Sequence, residues 1–270
     1  MERPDNWIWW QHDVIYHVYL RSFQDSDGDG VGDLRGLYAR LGYIADLGVD
    51  AVWVSPFYAS PKRDWGYDVS DHIAIDPAFG TMADWDGVTQ EAERLGLRLI
   101  VDWIPNHTSS DHAWFGESRS SRENPKADWY VWADASESGG PPTNWPSAFG
   151  GSAWTWAPER EQYYLHLCLP SMPDLNWHNP AVESAMFDAA RFWLDRGASG
   201  LRVDVAHWIS KSGRLDDHDL DAGATFVNAA KAFTPFESAE HTHDMDGPLA
   251  HAVYRRLRTL LDQRQAVALG

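Results

Sequence analysis

The stretch GLRVDVAHW, Gly200 to Trp208, sets two charged side chains inside an apolar run. Val203, Val205 and their apolar neighbours read as a buried strand, where an unpaired arginine or aspartate costs several kcal/mol of desolvation. In a strand, residues i and i+2 share a face, so Arg202 and Asp204 point together into one space that must hold partners for them. An arginine beside a carboxylate keeps it ionised, and an ionised carboxylate in an enclosed site can act as a nucleophile. A second acid, Asp102, ends the apolar run LRLIVDW (Leu97 to Trp103), and the loops beyond the two runs hold PNHTS and AHW. Either acid alone could cap a helix or lie solvated in a loop. The arginine on the same face weakens that reading for Asp204.

The elements that would position these groups alternate in period. VIYHVYLRSF (Val14 to Phe23) reads as a strand, and Leu34, Leu37, Leu41, Ile44 and Leu47 then recur at helical spacing. AVWVS (Ala51 to Ser55) is a second strand; a helix from about Met82 to Leu95, ended by Gly96, leads to the third, LRLIVDW. This β-α-β-α-β order predicts a parallel sheet with helical crossovers, in which sites are built at the carboxyl ends of strands. The rhythm is lost over 104–177, a Trp-, Pro- and Gly-rich stretch too long for an ordinary loop and read as an inserted irregular subdomain. A helix from Asn179-Pro180 to about Arg196 precedes the fourth strand, GLRVDVAHW. A helix over Leu249 to Asp262 precedes a fifth, QAVAL (Gln265 to Leu269).

Composition narrows the functions available. The chain has 270 residues, 44% of them hydrophobic and 23% charged, enough for a full core and too apolar for disorder. Forty acidic against 22 basic residues give a formal charge of −18, which repels phosphate backbones and anionic lipid. Neither nucleic acid nor membrane is an expected partner. Cys168 is the single cysteine, read as a buried inert thiol. The start MERPDNWIWWQHD lacks a basic region followed by an apolar one, and a cytoplasmic location is expected.

These residues carry a family resemblance. VDWIPNHTS (Val101 to Ser109), MPDLNW (Met172 to Trp177) and GLRVDVAHW resemble three signature regions of the α-amylase family of glycoside hydrolases, family 13. IYHVYLRSFQDSDGDGVGDLRGL, WVSPFYASP, GYDVSDH, FGT and YYLHL resemble its oligo-1,6-glucosidase and α-glucosidase branch. The resemblance implies an α/β fold, an incomplete (β/α)8 TIM barrel of about five strands. Strands one to three fall in 1–103, the inserted subdomain in 104–177, and strands four and five in 178–270. It implies retaining hydrolysis of short α-glucosides, with Asp204 as nucleophile and Arg202 holding it ionised and oriented. His107 and Tyr67 match residues that hold and stack on the sugar, Asp64 matches a hydroxyl ligand, and Asp102 matches the aspartate that supports the arginine. Trp65, inside DWGYD, is a candidate stacking or rim residue.

The expected substrate is a small oligosaccharide or disaccharide. Val205 resembles the α-1,6-cleaving members, whereas Met172 departs from the glutamine most often found there. Transfer to a sugar, or isomerisation of a disaccharide, shares the first half-reaction and stays open, as does a non-catalytic carbohydrate-binding protein on the same fold. A retaining glycosidase needs a second carboxyl group about 5 to 5.5 Å from the first. In the family this glutamate follows the fifth strand, often as Gly-Glu, and QAVALG stops at Gly270. The general acid, the later His-Asp motif and strands six to eight are thus expected to lie outside this chain, which alone is expected to be inactive or impaired. Glu237 and Glu240, in an irregular segment, are not expected to replace the acid.

The loop DSDGDGVGD offers Asp25, Asp27, Asp29 and Asp33, with the Val31 carbonyl, as hard oxygen ligands at alternate positions, the donor type Ca²⁺ takes. Position 12 from Asp25 is Gly36, where an EF-hand needs glutamate, so a true EF-hand is not expected. The resembling glucosidases bind a structural calcium in the equivalent loop, and the same is expected here. His241, His243 and His251 show no tight ligand spacing and are read as solvated loop residues.

Overall fold

The computed structural model describes residues 9–219, 236–237 and 239–269. Its helices are α1 (Trp9–His12), α2 (Leu20–Phe23), α3 (Leu34–Asp46), α4 (Met82–Arg94), α5 (Ala113–Ser120), α6 (Pro180–Asp195) and α7 (Leu249–Asp262). Its strands are β1 (Ile15–Val18), β2 (Ala51–Val54), β3 (Tyr58–Ala59), β4 (Asp71–Ile75), β5 (Arg98–Trp103), β6 (Trp132–Ala133), β7 (Trp154–Ala157), β8 (Gln162–Leu165), β9 (Gly200–Val203) and β10 (Val267–Leu269). Five of these pair in parallel in the order β1-β2-β5-β9-β10, so each new strand joins beside the previous one of the sheet. Val52, Val54, Leu99, Val101 and Leu201 are almost wholly buried, as strands packed on both faces require.

The helices begin where the sequence supplies caps. Asp33 accepts from Gly36 N at the start of α3, Thr81 and Asp84 form a reciprocal capping box on α4, and Asn179 caps α6 ahead of Pro180. Leu34, Leu37, Leu41 and Ile44 of α3 are fully buried, which is the face their spacing predicts. Gly200 allows a close approach between β9 and β10: a Cβ there would lie 2.7 Å from Val267 Cγ1 and 3.0 Å from Val267 O. β10 can reach β9 only because position 200 carries no side chain.

Three expectations are corrected, and one element is added to those expected. VIYHVYLRSF is not one strand: β1 ends at Val18, and the chain turns into α2, whose first amide donates to Ser55 Oγ at 3.0 Å. GLRVDVAHW is a strand only to Val203. Val205 takes a left-handed conformation, φ 38°, and Ala206–Ile209 form a 3-10 turn. An antiparallel hairpin, β3–β4, brackets DWGYD between the second strand and α4. Residues 104–177 are ordered rather than irregular, with α5 and a three-stranded antiparallel sheet, β6-β8-β7. Two tryptophans of this stretch belong to its core: Trp145 and Trp154 join Leu165, Leu167, Cys168 and Met172 in an apolar cluster shared with Trp208 and Met245. No helix among the described residues is long and apolar enough to cross a membrane.

Candidate active site

Strand register brings the charged residues together. β5 and β9 are neighbours, with Asp102 opposite Arg202, and Asp204 N donates to Trp103 O at 2.9 Å just beyond the last residue of β9. From this frame Arg202 Nη1 donates to Asp102 Oδ1 at 2.8 Å and to Asp204 Oδ1 at 2.5 Å. The second oxygen of Asp102 accepts from Trp53 Nε1 at 2.8 Å, and its backbone carbonyl accepts from the Tyr58 hydroxyl. The Arg202 guanidinium also lies over the rings of Trp53 and Tyr67, at 5.1 and 5.8 Å, and the His17 ring stacks on Trp53 with centroids 3.7 Å apart. Immediately after Asp204, Val205 is a β-branched residue at positive φ, an uncommon strain that clusters at functional sites.

Burial and charge oppose each other in this group. Burial pushes the Asp102 carboxyl up, to about 7, against the pull of the Arg202 and Trp53 donors. Burial works to lower the Arg202 guanidinium, but the Asp102 hydrogen bond and the two carboxylate charges outweigh it and hold it above its ordinary value. Burial also raises Asp64, with Asp68 and Asp204 adding to the effect and His107 opposing it, and burial lowers the His107 imidazole.

A cavity of about 520 Å³ opens over the carboxyl ends of β5 and β9. Asp64, Tyr67, His107, Arg202 and Asp204 all line it, so five of the six residues predicted to act on sugar meet in one space. Asp102 does not line it and lies behind Arg202. His107 is 1% exposed and, among the described residues, its Nε2 has no hydrogen-bond partner, an arrangement that favours a ligand hydroxyl. The loop carrying Asp64 is clamped from below by Asp68, which accepts from Ser60 Oγ, Arg63 N and Asp64 N. Trp65 does not line the cavity; it is 61% exposed beneath the Arg21 guanidinium.

Sequence reasoning missed the polar support of His107. Asn106 Nδ2 lies 3.2 Å from His107 Nδ1 and donates to Asp174 Oδ1 at 3.1 Å, while Lys211 Nζ donates to Asn106 Oδ1 at 2.7 Å and pairs with Asp174 at 2.7 Å. Asp174 belongs to the MPDLNW signature, so its presence was a signal, but nothing in spacing links it to Lys211. Trp53 read only as a strand aromatic, and Tyr58 only as part of the WVSPFYASP resemblance. Phe149, Trp208 and Phe236 form aromatic cavity walls, and exposed Glu237 also lines the cavity, whereas Glu240 does not. Cys168 is buried in the cavity floor, 3.9 Å from His107 Nδ1, and burial pushes its thiol up, away from reactivity.

The acidic loop stands apart from the cavity, between α2 and α3. Asp25, Asp27 and Asp29 bring carboxylate oxygens within 4.8 Å of one another. Asp33 is diverted from them: its carboxylate accepts from Ser26 and caps α3. Of the three histidines read as solvated, His251 is exposed, but His241 and His243 are half-buried, and His241 pairs with the fully buried Asp244. The correction has a plain cause, since the partner His218 lies more than twenty residues earlier in the chain.

Comparison with known proteins agrees with this geometry. Residues 17–270 match the family model for the alpha amylase catalytic domain. The chain is 51% identical to a probable alpha-glucosidase of Rhizobium meliloti, over 96% of this chain and 47% of that protein. It is 42% identical to an oligo-1,6-glucosidase of Parageobacillus thermoglucosidasius, over 97% of this chain and 45% of that protein. It therefore spans about half the length of the curated relatives it matches. Among solved structures, an alpha-glucosyl transfer enzyme superposes with a TM-score of 0.93 at 50% identity, covering 97% of this chain and 49% of the other. The trehalulose synthase of Pseudomonas mesoacidophila superposes with a TM-score of 0.86 at 40% identity, over 97% and 45% of the two chains. On the family match over residues 17–270, the chain belongs to the alpha-amylase family and carries sequence of that family's catalytic domain.

Proposed function

We propose that this chain supplies the nucleophile half of a retaining α-glucosidase that acts on short α-glucosides. The observation that carries the reading is the cavity lined both by Asp204, which Arg202 holds against Asp102, and by His107, whose Nε2 has no partner among the described residues. An Asp204 carboxylate oxygen attacks the anomeric carbon, and the bond to the leaving oxygen breaks as that oxygen takes a proton from a second carboxyl group. The resulting glucosyl ester is then cleaved by a nucleophile that returns its proton to the same carboxyl. The resemblance assigns the second carboxyl to the end of the strand equivalent to β10. Asp64 and His107 hold sugar hydroxyls, Tyr67 stacks on the ring, and Asp102 positions Arg202. The segment 104–177 serves as the inserted subdomain whose Phe149 and Cys168 complete the cavity wall, between barrel segments 1–103 and 178–270. A cytoplasmic setting accords with the one cysteine, buried and unpaired.

Glucosyl transfer is the second reading, favoured by the half-identical transfer enzyme. Ca²⁺ is assigned a structural role between α2 and α3. Asp25, Asp27 and Asp29 would hold it, because their oxygens converge and Gly28 and Gly30, both at positive φ, bend the loop around them.

The test treats the intact protein with 5-fluoro-α-glucosyl fluoride, which slows both half-reactions and lets the ester accumulate. Mass spectrometry should find the sugar on the peptide containing Asp204, and Asp204→Ala should not be labelled. A label on another residue would remove Asp204 from its role. Added acceptor sugar that lowers free glucose while aglycone release holds steady would favour transfer.

A further inference from the structure

Behind the cavity wall, His218, His241 and Asp244 bring three ligand atoms within 4.8 Å of one another. The side chains of His218 and Asp244 are fully enclosed. Among the described residues, His218 Nδ1, His218 Nε2 and Asp244 Oδ1 have no hydrogen-bond partner. His218 Nε2 lies 3.1 Å from Asp244 Oδ2, yet not along the direction a hydrogen bond needs. His241 Nε2 donates to the Phe236 carbonyl at 2.6 Å. In the neutral ring its Nδ1 therefore carries a lone pair, and Nδ1 is 2.8 Å from Asp244 Oδ2. Two lone pairs face each other there, and either a proton on Nδ1 or a metal ion bound to both atoms makes the contact favourable.

We propose that His218, His241 and Asp244 form a site for a divalent transition metal of the Zn²⁺ class, separate from the carboxylate loop between α2 and α3. Two imidazole nitrogens and one carboxylate are a donor set Zn²⁺ takes and Ca²⁺, which binds oxygen, does not. A proton on His241 Nδ1 would satisfy that one contact. It would leave both nitrogens of His218 without partners, whereas a metal takes one of them and ties His218, His241 and Asp244 to one centre. The surroundings hold the ligands in place: Asn144 Oδ1 accepts from His218 N at 2.8 Å, Asn144 Nδ2 donates to His218 O at 2.9 Å, and Trp145 stacks on the His218 ring at 5.3 Å. On the other side, the Phe236 ring packs against His241 at 4.3 Å and lines the catalytic cavity. A bound ion would fasten the chain on both sides of the cluster to Trp145 and so stiffen that wall.

The experiment strips the intact protein with a chelator and titrates it with ZnCl₂ and CoCl₂. Calorimetry should show one equivalent of Zn²⁺, Co²⁺ should give visible d–d bands, and excess Ca²⁺ should displace neither. His218→Ala and Asp244→Asn should each weaken binding roughly 100-fold or more, since removing a ligand costs at least what removing its outer support does. His251→Ala, at an exposed histidine, should bind like the wild type. Should the variants unfold, histidine ¹⁵N resonances of the wild type decide the matter: Zn²⁺ must shift two imidazoles. Stoichiometric binding that survives both ligand substitutions, or a wild-type protein that binds no Zn²⁺ and shows His241 doubly protonated, would overturn the proposal.

Discussion

Replacing Arg202 with leucine removes one cation from between two carboxylates. The side chains of Asp102 and Asp204 are 0% and 12% exposed, and that of Arg202 is 28% exposed. At an effective dielectric of about 20, unit charges about 4 Å apart attract by about 4 kcal/mol. Arg202 makes two such pairs, and its loss also leaves the two carboxylates repelling each other. Partial exposure of the arginine, side-chain relaxation and proton uptake reduce the gross figure, and breaking a buried pair costs about 3–5 kcal/mol in practice. That is the expected loss of unfolding free energy near neutral pH.

The same substitution has a pH signature with a definite sign. Without the cation, the folded-state pKa of Asp102 rises further above the unfolded value of about 3.9. A group raised in this way contributes stability at low pH and loses it as pH rises through the folded value. Asp102, which burial already pushes to about 7, takes up the proton. The deficit of Arg202→Leu against wild type should therefore be smaller near about pH 5 than near about pH 8, by about 1–2 kcal/mol. Urea unfolding followed by tryptophan fluorescence measures both. Adding Asp102→Asn should recover part of the loss at the higher pH. A deficit below about 1 kcal/mol, one that does not change with pH, or a double variant with no recovery would refute the coupling of the three side chains.

Other outcomes follow from single sites. Chelating Ca²⁺ should lower the melting temperature, and Asp27→Ala should remove that response; an unchanged melting curve would rule out the loop site. Burial lowers the His72 imidazole to about 4 against an ordinary 6.5, so its neutral form contributes stability above about pH 6.5 that is lost as pH falls toward 4. The loss is about 3 kcal/mol, and His72→Gln should flatten the urea midpoint over that window; an unaltered slope would assign the acid lability elsewhere. Gly200→Ala should cost about 1–3 kcal/mol by pushing β10 off β9, with partial relief on adding Val267→Ala; full stability would mean the strands can separate freely.

What could be read in advance follows the range of the physical signal. The parallel strands and α3, α4, α6 and α7 were legible because apolar period and caps are local, as in Leu34 to Ile44 or Asn179-Pro180. The strand ends were not. A left-handed Val205 has no sequence signature, since β-branched residues disfavour that conformation, and only the surroundings of Asp204 impose it. The sheet β6-β8-β7 was missed because its strands are two to four residues long and its aromatic positions lack a clean alternation.

The site divides along the same line. Arg202 and Asp204 announce themselves because they lie two apart in one strand, so a single period places both on one face. Asp102 joins them through strand order, which β-α-β alternation implies before any contact is known. The cluster of His218, His241 and Asp244, by contrast, depends on a loop closing over more than twenty residues, and its polar atoms look solvated until Trp145 and Phe236 cover them. Lys211 and Asp174 are alike: a lysine with side-chain exposure of 6% is legible only once its carboxylate is found across a 37-residue separation. Charges inside a regular element carry their geometry with them, whereas charges brought together by long loops acquire their chemistry only from the fold.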